Sequence, residues 1–152
     1  MAPGHQPPSR LYRTAVRQTL TQYRPRAGVD PEEDFRDFLQ ACYREERARL
    51  ESLKASEAGP QESLMIKNGL FVLATGLFAF GRIEVAEDLL DYLPSSGGIR
   101  KLALALQALL PLPEGLEPWR DQDAIRAWLR QHKKRLRWDE AQGRYVASHG
   151  AG

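Results

Sequence analysis

The chain has 152 residues, of which 42% are hydrophobic and 28% are charged. This length and apolar content are typical of one globular domain with its own core, and a second full domain is not expected. The single cysteine excludes an internal disulfide and a cysteine-rich zinc module. The net charge of +2 is too small to indicate a partner, because 22 basic residues nearly balance 20 acidic ones.

Two segments of the sequence were compared with a secretory signal and with a membrane-spanning helix, and neither segment fits. The first ten residues contain three prolines and no apolar run, unlike the hydrophobic region of a secretory signal. The longest uncharged stretch, residues 68–81, would span about 21 Å as a helix, which is short of the ~30 Å hydrocarbon core of a bilayer. We therefore expect a cytoplasmic protein that does not bind membranes.

The domain layout follows from composition. Residues 1–8 are rich in proline and polar groups and are predicted to form a disordered arm. Residues 9–147 are expected to form a single helical domain, and residues 148–152 a flexible tail. Charge is uneven along this layout, since residues 1–29 carry five arginines and no acid, whereas the middle of the chain is acidic.

The first two helical patterns lie in the N-terminal third. Apolar residues recur at three- and four-residue steps from Leu11 to Tyr23, which predicts a helix ending before Pro25. A second helix is expected to begin at Asp30, whose side chain suits the N-cap position, with Glu33 at capping-box spacing. It should end near residue 58, before Gly-Pro. Its predicted apolar stripe consists of Phe35, Phe38, Leu39, Cys42, Tyr43, Leu50 and Leu53.

The third helix is predicted to be the centre of the fold. It opens at Ser63 and is apolar around nearly its whole circumference after Asn68, as a helix surrounded by others must be. Gly69 and Gly76 lie two turns apart on one side and would let another helix approach closely. A pair of short strands over residues 70–80 is the competing interpretation, but the length favours a helix.

Three further helices are expected. One runs from Arg82 to Leu93 after Gly81, and another covers residues 99–110, followed by an extended connector over residues 111–118. The last helix should begin at Asp121 or Asp123. Residues 136–147 then form either a small β-hairpin closed near Gly143 or an extension of the last helix. The expected fold is a mainly α, compact bundle of about six helices.

One stretch resembles a known family. Its spacing is carried by Leu70, Leu73, Ala74, Leu77, Gly81, Ala86 and Leu90. Residues 70–90 resemble one tetratricopeptide-type helical hairpin, in which small residues lie where the paired helices touch and glycine lies at the turn. The resemblance covers about one repeat. It implies a helix pair and suggests peptide or protein binding, without assigning binding residues.

No catalytic, cofactor or metal site is predicted. Cys42 falls on an apolar stripe and is expected to be a buried small hydrophobe. His132 also faces inward, with no second histidine at i+4, and is expected to be structural. Gly97-Gly98 lacks the Lys-Ser/Thr of a phosphate loop. A site assembled from distant carboxylates remains an open alternative.

The charged helix faces are the candidate partner-binding residues. Glu84, Glu87, Asp88 and Asp91 form an acidic stripe, and Arg126, Arg130, Lys133, Lys134 and Arg137 form a basic stripe on the helix predicted for residues 121–137. These two stripes are expected to pair between helices or across a self-association interface.

The favoured hypothesis is a non-enzymatic protein-interaction module, such as an adaptor or a small regulatory subunit, that acts through the charged faces and has a protein partner. The alternative is a nucleic-acid-associated protein. It would use the basic stripe together with the arginines of residues 10–26 to contact phosphates, with Trp138 stacking on a base.

Overall fold

The computed structural model describes residues 7–55, 59–94 and 97–147. Within these ranges the chain forms six α-helices and a two-stranded antiparallel sheet, which confirms the predicted fold class. The helices are α1 (Pro8–Thr19), α2 (Pro31–Ala55), α3 (Pro60–Phe78), α4 (Ala86–Asp91), α5 (Ala105–Leu109) and α6 (Gln122–His132), and the strands are β1 (Leu136–Asp139) and β2 (Arg144–Ala147). Short 3-10 helices cover Ile83–Val85, Gly98–Leu104 and Lys133–Arg135.

The centre of the fold is α3, as predicted. Every residue from Leu70 to Phe78 is buried, and α1, α2 and α4 pack around it. The helix begins three residues before Ser63, because Pro60 fits the first helical turn, where its missing N–H costs nothing. The described residues contain no helix that is both long and apolar enough to cross a bilayer.

The start of α2 is set by the predicted cap. The backbone N–H of Glu33 donates to Asp30 Oδ2 at 3.0 Å, and three acids occupy the first turn, where the helix dipole favours negative charge. Phe35, Leu39, Tyr43 and Leu50 are buried along the predicted stripe, and Cys42 is half-buried. The predicted end near residue 58 lies outside the described residues.

The first helix differs from its prediction at both ends. Residues 1–6 lie outside the described residues, and Pro8, assigned to the arm, opens α1. The helix ends at Thr19, well before Pro25, and a turn brings Tyr23 into the core separately. Leu11, expected on the inner face, is 55% exposed, because Arg13 and Val16 occupy the packed face instead.

The predicted helices over residues 82–93 and 99–110 are each a 3-10 helix continued by a short α-helix. Gly81 and Gly97 each have φ +93°, a left-handed conformation that separates these segments from what precedes them. Ile99, Leu102 and Ala105 repeat every three residues, which is the period of a 3-10 helix. The connector after α5 packs on the core through Leu112, Leu116 and Trp119.

The C-terminal segment forms the predicted hairpin and not a continued helix. Trp138 pairs with Tyr145 across the two strands, and the buried Tyr145 hydroxyl donates to the Phe78 carbonyl at 2.7 Å. Trp138 lies so close to Gly81 that a Cβ there would be 2.7 Å from its ring. The hairpin therefore covers the C-terminal end of α3.

Candidate interaction surfaces

The acidic stripe is mostly engaged within the chain. Asp88, on α4, accepts a hydrogen bond from the Tyr43 hydroxyl, and Arg47 Nη1 lies 3.6 Å from Asp88 Oδ2. Burial and the Asp88 carboxylate raise the pKa of Tyr43, so the phenol stays protonated and donates. Glu84 lies in the 3-10 helix before α4 and remains exposed.

The other two acids of the stripe pair with α6. Arg126 Nη2 lies 2.7 Å from Asp91 Oδ1, and its Nη1 lies 3.5 Å from Glu87 Oε1. Arg130 Nε lies 3.0 Å from the same Glu87 oxygen. Two acids of the acidic stripe thus pair with two arginines of the basic stripe between helices of one chain, which is one of the two arrangements expected from the sequence.

The helix predicted for residues 121–137 is wrong at its C-terminal end. α6 ends at His132, a 3-10 helix holds Lys133 and Lys134, and Arg137 lies in β1. Leu136 and Trp138 pack against the core at alternating strand positions, so the chain changes from helical to extended period here. The basic stripe is therefore divided between a helix, a 3-10 helix and a strand.

Four cations beyond the end of α6 have no acidic partner within the part of the chain that the structure describes. Lys133, Lys134, Arg135 and Arg137, here named the basic cluster, have no carboxylate within 4.0 Å among the described residues. Lys134, Arg135 and Arg137 are exposed and Lys133 is half-buried. Arg135 is not part of the basic stripe predicted from the sequence, because on a continuous helix its side chain would lie on the opposite face.

The N-terminal arginines are largely engaged inside the fold. Arg17 lies 3.2 Å from Glu32, Arg26 pairs with Asp34, and Arg24 donates to the Thr21 carbonyl at 2.8 Å. Among the described residues, Arg13, Arg17 and Arg26 are therefore paired with acids, and Arg10 and Arg24 are the two N-terminal arginines with no carboxylate within 4.0 Å.

Trp138 is also engaged. Its indole N–H donates to Glu140, and its ring packs edge-on against Tyr145, with 4.9 Å between ring centroids. These contacts hold the ring against the hairpin, where Trp138 is half-buried.

Arg13 is a buried arginine with several contacts in the fold, and the sequence did not indicate its structural role. It is 6% exposed, and its Nε donates to the Ala79 carbonyl at 2.9 Å. Its guanidinium also lies over the Phe80 ring, 4.1 Å from the centroid, and contacts Glu32 at 3.3 Å and Glu140 at 3.1 Å. A single buried cation inside an apolar stripe does not alter the helical period of the apolar residues. The sequence pattern therefore does not indicate that Arg13 is buried.

A second buried charge fixes the loop between α1 and α2. Asp34 is 4% exposed and accepts from the Tyr23 hydroxyl at 2.6 Å and from the backbone N–H of Arg26 at 3.1 Å. These hydrogen bonds lower the pKa of Asp34 to about 2, and burial together with the carboxylate raises the pKa of Tyr23 to about 12. The arrangement is structural, because all three groups satisfy one another.

Cys42 and His132, the two residues considered for catalysis or metal binding, have surroundings that fit a structural role. Burial, followed by Glu45 and Glu46, raises the pKa of the Cys42 thiol, which opposes formation of a nucleophilic thiolate. His132 Nδ1 donates to the Trp128 carbonyl at 2.9 Å, and its ring stacks on that indole. Among the described residues, no three His, Cys, Asp or Glu side chains are grouped to hold a metal ion.

Comparison of the chain with protein-family models, with curated protein sequences and with solved structures finds no match.

Proposed function

We propose that the chain is a non-enzymatic protein-interaction module, an adaptor or small regulatory subunit, that binds an acidic surface of a protein partner through the basic cluster. The observation that carries the proposal is the contrast between neighbouring cations. Arg126 and Arg130 are paired with α4, whereas the four cations of the cluster have no carboxylate partner in the described part of the chain. Free, closely spaced cations steer an acidic partner and select it.

The surroundings of the cluster favour a protein over a nucleic acid. The acids of α4 lie against α6, so the surface beside the cluster carries both signs of charge. A polyanion would be repelled by those acids, and the arginines at positions 13, 17 and 26 are already paired inside the fold. A protein surface of mixed charge fits this pattern better.

The resemblance of residues 70–90 to one tetratricopeptide hairpin adds to the proposal, because that resemblance suggests peptide or protein binding. Gly81 has a positive φ at the turn between α3 and the 3-10 helix that leads into α4, and Ala74 and Ala86 are both buried. A cytoplasmic location belongs to the same proposal.

The test is a quantitative pull-down of the full chain from native lysate, with and without nuclease, at low and at high salt. The proposal predicts protein partners that survive nuclease and weaken at high salt, because exposed charges are screened. Loss of every partner on nuclease treatment would overturn it and favour the nucleic-acid function. Mock-treated lysate at each salt concentration is the control.

A further inference from the structure

A groove runs between α2 and α3, on surface that the basic cluster does not share. Two adjoining cavities of about 640 and 340 Å³ form it, and both are lined by Glu46. Its apolar lining includes Phe38, Leu53, Met65, Ile66 and Leu73. From residue 62 to residue 73, the groove follows α3 for about 17 Å, which is three helical turns.

Two glycines of α3 show where the groove begins. A Cβ at Gly76 would lie 2.7 Å from Leu39 Cδ1 and 3.1 Å from Val16 Cγ1, so α2 and α1 cover this point closely. A Cβ at Gly69, two turns earlier on the same side, would meet nothing within 4 Å. The end of α1 at Thr19 lines the groove there. The face that α1 covers at Gly76 is therefore open at Gly69.

Met65, which lines one of the two cavities, and Leu64 beside it have the most exposed large apolar side chains of the described residues. Met65 is 73% exposed and Leu64 is 57% exposed, and they are neighbours on α3. Adjacent exposed apolar side chains mark interaction sites more often than isolated ones, and methionine suits grooves that adapt to a ligand.

The charged residues at the rim of the groove indicate which charge a bound partner carries there. Glu46 is paired with Arg49 at 2.9 Å, but Glu62 has no ion-pair partner among the described residues. An occupant that places a lysine or arginine opposite Glu62 would complete the rim, whereas an acidic occupant would be repelled.

The exposed apolar side chains of the described residues do not match a groove of this length. Apart from Leu64 and Met65, the large apolar side chains exposed in the described part of the chain are Leu11 and Leu104, which lie singly on different elements. A second copy could therefore present to the groove only its own Leu64 and Met65, two adjacent residues that cover less than one of its three helical turns.

We infer that this groove binds an amphipathic α-helix of a partner protein, which carries an apolar stripe of about three turns and a basic residue opposite Glu62. The helix would continue the packing of α1 on α3 beyond Thr19. This mode of recognition places apolar residues at i, i+3, i+4 and i+7 in a hydrophobic groove. The inference does not rest on the basic cluster, so either proposal can fail alone.

The test uses a displayed library of 14-residue helical peptides, randomised at the apolar stripe and its flanks, selected against the full chain. Enriched peptides are then measured by fluorescence anisotropy against the wild type and against Gly69→Leu, which fills the open space. Binding is expected to weaken at least tenfold in Gly69→Leu and Met65→Lys. It should change less than twofold in Leu104→Lys, an exposed leucine outside the groove.

Circular dichroism and urea unfolding of each variant show that a loss of binding is not a loss of fold. Enriched peptides should carry a basic flank and should weaken in Glu62→Lys. Failure to enrich any peptide over an empty bait would overturn the inference, as would peptides whose binding Gly69→Leu leaves unchanged. A doubled mass in light scattering that Met65→Lys abolishes would assign the groove to a second copy instead, and would overturn the helix-partner proposal.

Discussion

The side chain of Arg13, on α1, joins that helix to three other parts of the fold. It contacts the C-terminal end of α3 through the Ala79 carbonyl, the start of α2 through Glu32, and the hairpin loop through Glu140. Because it is buried, its removal leaves a carbonyl without a donor and opens space beside Phe80.

Replacing this side chain should be among the most destabilising substitutions in the chain. We expect Arg13→Met to lower the free energy of unfolding by about 3 kcal/mol. Arg13→Lys should cost less, since it keeps the charge but loses the forked geometry. Urea unfolding measures both, with Arg10→Met, an exposed arginine of the same helix, as the control. A loss below about 0.5 kcal/mol in Arg13→Met would contradict this role.

Asp34 makes stability depend on pH. Its pKa in the folded chain, about 2, lies below the ordinary value of 3.8, so the ionised carboxylate stabilises the fold. That contribution is present above pH 3.8 and is lost as the pH falls through about 2. Between pH 5 and pH 2, the wild type should therefore lose more stability than Asp34→Asn. Asp37→Asn, an exposed position on the same helix, should follow the wild type, and an equal loss in all three would refute the assignment.

Alanine substitutions at the two glycines of α3 distinguish the effect of packing on stability from the effect of helix propensity. Alanine at Gly69 meets open space, so the substitution should raise the free energy of unfolding by up to about 1 kcal/mol. Alanine at Gly76 meets Leu39 and Val16, both fully buried, and overpacking there should cost about 1–3 kcal/mol. Thermal unfolding of the two single variants should give shifts of opposite sign. Equal shifts would mean that α1 and α2 adjust freely around Gly76.

Elements with a strong local signal were predictable. The Asp30 cap and the apolar circumference of α3 are dictated by neighbouring residues, and both predictions are confirmed. The end of α6 was not predictable in the same way, because residues 133–137 suit a helix locally. The change to strand accompanies the pairing of Trp138 with Tyr145 in the hairpin and the packing of Trp138 against Gly81, which is 57 residues away in sequence.

Folding brings basic segments near the two ends of the chain into contact with acidic segments from its middle. α4 supplies acids to α6, and α2 supplies acids to the N-terminal arginines. The sequence predicted the residues of both stripes, but it could not distinguish paired cations from free ones, because that depends on which helix faces meet. The groove was also invisible in sequence, since its floor combines residues of α1, α2 and α3.

We propose that the basic cluster, and not basic charge in general, binds the partner. Two double variants test it in the same quantitative pull-down: Lys134→Glu/Arg137→Glu within the cluster, and Arg44→Glu/Lys101→Glu at exposed positions elsewhere. Each reversal changes the charge by two, so both variants go from a net charge of +2 to −2. We predict that the cluster variant retains less than a tenth of the wild-type partner while the control retains most of it. Equal retention by the two variants would contradict the claim.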